Sequence, residues 1–580
     1  MAHAARVSSP AVSARSDGTE GQASTPLERA VAAIDRNWRW ALAVLMLVDA
    51  ALLLYMGRGL SFFYDDWDYV THDYGGGIHS LLLAHNGHMS LFPVGVYKVL
   101  FHLVGLNHYA VFRLVLVGLH LTCAGLVFVL ASKRLPRVPA LLAAALILFL
   151  GAAWEDLLWA FQIDYLLSIA GGLAAWALLE RRDRLGDVGA MLALAVALGS
   201  SGLGIPVLVG VVVELAWRRE WRRGWIVLVP AVLYALWYLN YGESEVTNNS
   251  LIAAPGYIED LAAAAFGGLV GRGLEWGRPL ALLGLFVLLR RLARPLPVSA
   301  RLAGLLATGI SLWIVTAAAR STISPSESSR YIYLGAVVIV LVGVELLRGV
   351  TITPRAVGLA TVLVAFSAVT GLTVMHNGAL GRRENSETVT AELGALELAA
   401  AHAPPTYQPD PQRAPQIMAG PYLHTVRAIG SSPADDPAQI AAADPSSRAA
   451  ADAVLVALGI PRLTPLGGTR PSSLAPAPTV SGLASARQAQ HGACMDLTPL
   501  PGGVMSATLI LPSGSVSITD HGSGPASLGY RRFGELFDPS STQVMPNSQA
   551  ELSFMLDSAR VPWQLQVNST SALAICGLAP

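Results

Sequence analysis

Three carboxylates crowd into Ser61-Phe62-Phe63-Tyr64-Asp65-Asp66-Trp67-Asp68-Tyr69, among five aromatic rings. A carboxylate can take the proton of an attacking hydroxyl or hold a divalent cation. Asp65 and Asp66 are neighbours, and neighbours in an extended chain point to opposite sides. One is therefore expected to act as general base while the other holds a metal or orients a substrate, with Asp68 as a further substrate contact. Aromatic rings favour a membrane–water boundary, and carboxylates are costly to desolvate there unless they face water, a cation or a polar ligand. The stretch reads as an active-site loop at the outer face of a membrane. The plainer alternative is a hydrated loop that caps a helix.

Further along, His85-Asn86-Gly87-His88 sets two imidazoles three residues apart. A helix would put both on one face. With Asp65 or Asp66 they could ligate Mg, Mn or Ca, the Asp66 and His88 pair being the candidate. Hydrogen bonding of a substrate by His85 and His88 is the competing role. A second acidic, aromatic run follows in Trp154-Glu155-Asp156-Leu157-Leu158-Trp159-Ala160-Phe161-Gln162-Ile163-Asp164, with Glu155 and Asp156 as substrate-binding candidates. A third run, from Arg320 to Tyr331, holds Arg320, Arg330 and Tyr331. Guanidinium forks suit phosphate oxygens, although arginines at helix ends can also snorkel to the interface. Arg272 and Arg278 are secondary phosphate candidates. A phosphate-cradling Gly-rich loop, a nucleophile elbow and a His-Glu-x-x-His motif are all absent, which disfavours ATP-driven transport and the common hydrolases.

The elements that must carry these residues are helical and apolar. Of 580 residues, 53% are hydrophobic and 13% charged, and mean hydropathy is +0.50. An ordinary soluble domain is roughly a quarter charged. Apolar runs at 37–57, 110–132, 138–153, 164–180, 187–202, 204–217, 224–241, 279–293, 302–319, 331–347 and 355–375 predict about eleven spans. Basic residues gather after every second one: Lys133, Arg134 and Arg137, then Arg181, Arg182 and Arg184, then Arg218, Arg219, Arg222 and Arg223, then Arg290, Arg291, Arg294 and Arg301, then Arg348 and Arg355. By the positive-inside rule those ends are cytoplasmic, the N-terminus is inside, and the acidic loop at 58–109 and the C-terminal part are outside. Asp187–Trp217 reads as a hairpin broken at Gly199–Pro206, because Gly and Pro punctuate helices. The basic clusters read as cytoplasmic anchors and do not suggest nucleic-acid binding.

Leu91–Gly105 reads as a helix lying on the membrane surface, and Tyr257–Trp276 as an amphipathic segment. Residues 1–33 read as a disordered cytoplasmic tail, 34–375 as the membrane domain, and 376–493 as an extracytoplasmic helical and linker region. Residues 494–580 show short β-prone runs separated by turn residues, as in a sandwich or jelly roll. Cys494 and Cys576 bracket this last domain. In an oxidising compartment they form a disulfide, worth roughly 4–5 kcal/mol by loop entropy. Cys123 falls inside a span, where packing is its expected role.

An N-inside chain with one span, a long outer loop bearing Tyr64-Asp65-Asp66-Trp67, further spans, an acidic second outer loop and an extracytoplasmic β domain resembles the GT-C superfamily of integral-membrane glycosyltransferases. It is nearest in plan to the arabinofuranosyl- and mannosyltransferases of actinobacterial envelopes. The resemblance covers about 37–375 in topology and few residues exactly. It implies that Asp65 or Asp66 is the base or metal-binding acid, that Glu155 and Asp156 assist, and that Arg320 or Arg330 contacts donor phosphate. It also implies a polyprenyl-phosphate sugar donor and a glycan or lipid acceptor at the bilayer surface; the chemistry expected of such a site is direct displacement at the anomeric carbon with inversion. Two other classes stay open. A lipid-linked glycan transporter or flippase predicts charged residues in mid-span, and the spans read as nearly free of these, with Glu214 and Glu345 near cytoplasmic ends. A non-catalytic envelope-glycan binder would have no need of the acids.

Overall fold

The computed structural model describes residues 25–73, 76–244, 246–294, 297–466, 475–511, 514–537, 542–554 and 561–578. Eight helical stretches among them are long and apolar enough to cross a membrane: Trp38–Met56, Tyr109–Ser132, Arg137–Leu158, Ala160–Leu179, Trp221–Tyr241, Ala300–Arg320, Ser329–Leu346 and Pro354–Leu398. This is a multi-pass helical membrane protein. The other three expected spans are also helical, as Arg184–Leu198, Gly204–Trp217 and Leu274–Leu292. The first two have only 15 and 14 residues, short of the roughly 20 that cross a bilayer. The third carries Glu275, Arg278, Arg290 and Arg291. The break between Leu198 and Gly204 falls in the Gly/Ser/Pro run, so two antiparallel segments replace one long helix.

The basic runs meet at one end of the bundle. Glu180 receives Lys133, Arg134 and Arg301. Glu214 receives Arg301 at 2.8 Å and Arg218 at 2.6 Å, while Arg134 also reaches Glu345 and Arg223 reaches Asp187. Helix ends far apart in sequence are thus tied by charge at a single level, as alternating passage through the bundle requires.

The tail expected at 1–33 is partly structured. Residues 1–24 lie outside the described residues, but Pro26–Arg36 is helical. Thr25 and Glu28 form a capping box and Pro26 occupies the first turn, which together start the helix.

At the opposite end, the first span, Trp38–Met56, stops, and arginines from elsewhere donate to carbonyls at and just beyond its end. Arg113 donates to the carbonyls of Leu53 (2.8 Å) and Leu158 (3.2 Å). Arg383 donates to those of Arg58 (2.8 Å) and Met56 (3.1 Å). A side chain at Gly57 would collide with the Arg113 guanidinium, its Cβ falling 1.5 Å from Nη1. These bonds satisfy orphan helix-end carbonyls and fix where the acidic loop begins.

The helix Pro354–Leu398 runs for 45 residues, well past bilayer thickness, and carries the chain into the C-terminal part. There two antiparallel sheets form. In spatial order one has strands Gln543–Val544, Ala526–Arg531, Gln564–Ser569, Met505–Ile510 and Thr479–Ala484. The other has Arg462–Pro465, Gln549–Ser553, Ser515–Asp520, Leu573–Leu578, Cys494–Pro499 and Ala486–His491. Alternate residues of Met505–Ile510 and Gln564–Ser569 are buried, the period-2 pattern of half-buried strands. The Cys494–Cys576 disulfide is formed and joins directly paired residues of adjacent strands. The sheets also draw in strands that precede Cys494.

Candidate active site

The acidic stretch is a tight turn rather than an extended run. Tyr64 has φ +43°, a left-handed conformation uncommon for a bulky residue. Asp66 N–H then donates to the Phe63 carbonyl at 3.0 Å, Trp67 N–H to that of Tyr64 at 2.9 Å, and a short helix covers Asp66–Asp68. The turn sends the two adjacent carboxylates into different surroundings.

Asp66 is fully buried. Its Oδ1 accepts from the Tyr97 hydroxyl. Its Oδ2 accepts from Phe63 N–H (3.0 Å), Trp159 Nε1 (3.1 Å) and the Tyr109 hydroxyl (3.2 Å). Rings pack around this centre: Phe62 edge-on to Tyr109 at 4.8 Å, Phe63 to Trp159 at 5.4 Å, and Tyr69 to Tyr97 at 4.9 Å. The aromatics expected at the membrane–water boundary therefore mostly form a core, because the acid at its centre satisfies their polar edges. Burial pushes the Asp66 carboxyl up to about 6 against the pull of the Tyr97 and Phe63 hydrogen bonds. With its oxygens taken by four donors, Asp66 is placed as an anchor for the loop.

Asp65 is half-buried and faces a different set of groups. Burial raises its carboxyl above the usual range, opposed by Arg330, a hydrogen bond from the Asn86 side chain, Arg320 and His88. Asn86 and His88 come from a hairpin, not a helix. Ala84 pairs with Met89 and His85 with His88, while Asn86 (φ +48°) and Gly87 (φ +77°) make the turn. Asn-Gly with both residues left-handed is the favoured two-residue hairpin turn, which overrides the helical spacing read from the two histidines. Cross-strand pairing still brings the imidazoles together. His85 packs edge-on to Tyr69 at 5.1 Å, and His88 Nε2 lies 3.9 Å from Asp164 Oδ2.

Asn86, Gly87, His88, Tyr165, Ser201, Arg320 and Tyr331 form the polar end of a cavity of about 390 Å³. Its remaining wall is largely apolar, with Leu203, Ile205, Pro206, Tyr234, Tyr238, Val315 and Ala319. Arg320 donates to the Asn86 carbonyl at 3.0 Å. Arg330 bonds Ser324 Oγ at 3.1 Å, and its backbone N–H donates to Glu155 Oε2 at 3.1 Å. His88, Arg320 and Tyr331 line this cavity; Asp65 and Arg330 do not, but Asp65 feels His88, Arg320 and Arg330 from beside it.

Other expected residues fall elsewhere. Asp68 is half-buried on the same turn but does not line the cavity. Asp156 is wholly buried and does not line this cavity, since the turn Trp154–Leu158 points it inward while Glu155 faces out. Glu155 lines a second cavity of about 470 Å³ with Arg272, Ser328 and Ser329. Arg278 is paired with Asp260 at 2.7 Å. Asp66 and His88 do not come together as metal ligands: one is enclosed by aromatic donors and the other reaches Asp164. Among the described residues no group of three His, Cys, Asp or Glu is arranged to hold a metal ion.

Three features escaped the sequence reading. The spans are not free of ionisable groups: Asp49 and His120 are buried, Asp49 Oδ2 lies 3.2 Å from His120 Nε2, and His120 Nδ1 lies 2.7 Å from the Tyr333 hydroxyl. Asp164 stood in the quoted second run without being singled out. The C-terminal half also grips the acidic loop. Ser386 Oγ accepts from Ser61 N–H (3.1 Å), Arg382 lies over the Phe63 ring (3.5 Å), Tyr64 donates to the Gln412 carbonyl (3.0 Å), and Gln416 reaches Asp65. No local pattern sets Gln416 apart from Gln408 and Gln412 in the same Pro- and Ala-rich stretch.

No protein-family model matches the sequence, and no curated protein matches it. Among solved structures, ArnT from Cupriavidus metallidurans in the apo state aligns at 14% identity over 64% of this chain and 81% of that one, with a TM-score of 0.44. The same protein bound to undecaprenyl phosphate aligns at 15% identity over 64% and 81%, with a TM-score of 0.41. The arabinosyltransferase EmbB from Mycobacterium smegmatis aligns at 13% identity over 93% of this chain and 64% of that one, with a TM-score of 0.33. The chain is similar to these membrane proteins in plan only, and its chemistry is read from its own residues.

Proposed function

We propose that the protein is a GT-C-type membrane glycosyltransferase that moves a sugar from a polyprenyl-phosphate donor to a glycan or lipid acceptor on the outer side of the cell membrane. The observation that carries this reading is that the half-buried carboxylate Asp65 interacts with Asn86, His88, Arg320 and Arg330, and that Asn86, His88 and Arg320 in turn line the polar end of a cavity whose other wall is largely apolar. A phosphate joined to a long isoprenoid needs this division between polar and apolar surface.

In this reading Asp65, not Asp66, is the general base. It takes the proton of the acceptor hydroxyl as that oxygen bonds to the anomeric carbon. The bond from that carbon to the phosphate oxygen breaks with inversion, and the polyprenyl phosphate leaves with the electron pair. Arg320 and Arg330 stabilise the charge that develops on it, and Tyr331 and Asn86 offer hydrogen bonds. Burial that raises the carboxyl makes it a stronger proton acceptor and moves it toward the operating pH, as a general base requires. His88, backed by Asp164, orients the sugar. Were a divalent cation recruited, Asp65, Asp164 and the cavity-lining Glu243 would be the acids available to hold it, and the ion would neutralise leaving-phosphate charge. The basic end of the bundle faces the cytoplasm, in keeping with the positive-inside rule, and the C-terminal sheets lie outside with the site.

The test is transfer by the purified protein in liposomes, across a panel of polyprenyl-phosphate sugars and octyl-glycoside acceptors, with and without Mg²⁺, Mn²⁺ or Ca²⁺. Transfer from at least one donor is expected, with Asp65→Asn inactive. No transfer in any combination overturns the reading.

A further inference from the structure

Between Leu398 and Ala419 the chain makes a loop that packs on the acidic turn. It is braced from within. Asp410 Oδ1 accepts from Gln412 N–H and Arg413 N–H, both at 2.9 Å, and its Oδ2 pairs with the Arg413 guanidinium at 3.0 Å. Gln408 Nε2 donates to the Pro415 carbonyl at 2.9 Å, and Ala419 N–H to the Tyr407 carbonyl at 2.8 Å. Such a loop holds its outward side chains in defined places.

Gln416 is one of them. Its Nε2 donates to Asp65 Oδ1 at 3.5 Å, while its Oε1 is buried and has no hydrogen-bond partner among the described residues. The reverse orientation of the amide would set a carbonyl oxygen against a carboxylate, so the N–H faces Asp65 for an electrostatic reason. A buried amide oxygen left without a donor is unfavourable. Beside a general base, a ligand hydroxyl is the donor that would satisfy it.

We propose that Gln416 is the acceptor-reading residue of the site: its N–H steadies Asp65, and its Oε1 accepts a hydrogen bond from an acceptor-sugar hydroxyl next to the one that attacks. This deepens the glycosyltransferase reading and rests on it. The C-terminal part thereby supplies acceptor specificity directly, from a segment some 350 residues away in sequence from the base it touches. A site built this way prefers acceptors with vicinal hydroxyls, because only they can meet Asp65 and Gln416 together. The donor, held from the side of Arg320 and Arg330, does not depend on Gln416.

The experiment uses full-length protein in liposomes, with the donor and octyl-glycoside acceptor that the wild type uses best. Gln416→Ala is expected to raise the acceptor KM roughly tenfold, the loss of one hydrogen bond, and to leave the donor KM within about twofold of the wild type. Removing the acceptor hydroxyl next to the attacked one should cost the wild type a similar factor and the variant almost nothing. Gln416→Glu keeps the shape but sets a second carboxylate beside Asp65, so the acid limb of the rate profile should move up by about one pH unit. A purely structural role would move the thermal midpoint and neither of these. Wild-type transfer with an unchanged acceptor KM in Gln416→Ala and an unchanged profile in Gln416→Glu overturns this inference alone. Failure of the wild type with every donor removes the glycosyltransferase reading and this inference with it.

Discussion

Replacing Asp66 by alanine removes the acceptor at the centre of the aromatic box, and the structure sets the scale of the damage. Four donors point at that carboxylate: the hydroxyls of Tyr97 and Tyr109, Trp159 Nε1 and Phe63 N–H. Trp159 also lies 3.1 Å from the Phe63 carbonyl and keeps that partner. Three donors are then left unmet, each worth about 1–3 kcal/mol when buried. Hydroxyls can turn toward other acceptors, so the lower half of the sum applies, on the order of 3–6 kcal/mol. That is a large share of the roughly 5–15 kcal/mol that holds a folded domain together. Asp65 is half-buried and has fewer contacts, so Asp65→Asn should change stability by no more than about 1 kcal/mol. Its transfer rate, however, should fall by about 10²–10⁴, the usual worth of a general base. Thermal unfolding in detergent, with transfer measured per folded molecule, separates the two effects. Asp66→Asn, which keeps an acceptor oxygen, should melt early yet retain transfer per folded molecule. If Asp65→Asn stays active while Asp66→Asn is folded and dead, the base has been assigned to the wrong carboxylate.

Other outcomes follow from the same geometry. Arg330→Gln should raise the donor KM about tenfold or more, from loss of a charge-assisted contact, with acceptor KM nearly unchanged; an acceptor effect instead would place the phosphate elsewhere. The raised Asp65 carboxyl puts the acid limb of kcat/KM above that of an ordinary aspartate, and a limb at or below the ordinary aspartate range would contradict its burial. Asp66, pushed up to about 6, binds its proton more tightly folded than unfolded. Its contribution is therefore fully present below about pH 4, declines as pH rises through 6 and is flat above, a change of ~3 kcal/mol. Comparing melting curves of wild type and Asp66→Asn from pH 4 to 8 isolates that term. Cys494→Ser with Cys576→Ser should lower the stability of the sheet domain by about 2–5 kcal/mol, read as earlier proteolysis of residues beyond the long helix.

The membrane architecture was legible because it depends on composition and on short-range pattern. Apolar runs such as 110–132 match the helix Tyr109–Ser132, and basic residues after alternate spans converge on Glu180, Glu214 and Glu345 at one end. The Cys494 and Cys576 pairing was legible because only two cysteines lay outside the spans. The two histidines misled, since spacing was weighed while the Asn-Gly between them, a turn signal, was not. Asp156 misled because adjacent acids look equivalent in a string of letters and separate by about 100° on a helical turn.

By itself the sequence determined a polytopic bundle, an alternation of basic ends, a disulfide-closed strand-rich C-terminal part and a short set of polar residues from which a site could be made. Tertiary structure alone decided that Asp66 is enclosed by Tyr97, Tyr109 and Trp159 while Asp65 meets Asn86, His88, Arg320 and Gln416. The reason is one of range. Hydropathy and charge placement act within a few residues and leave periodic traces, whereas the environment of a carboxylate is set by side chains that arrive from hundreds of residues away and leave none.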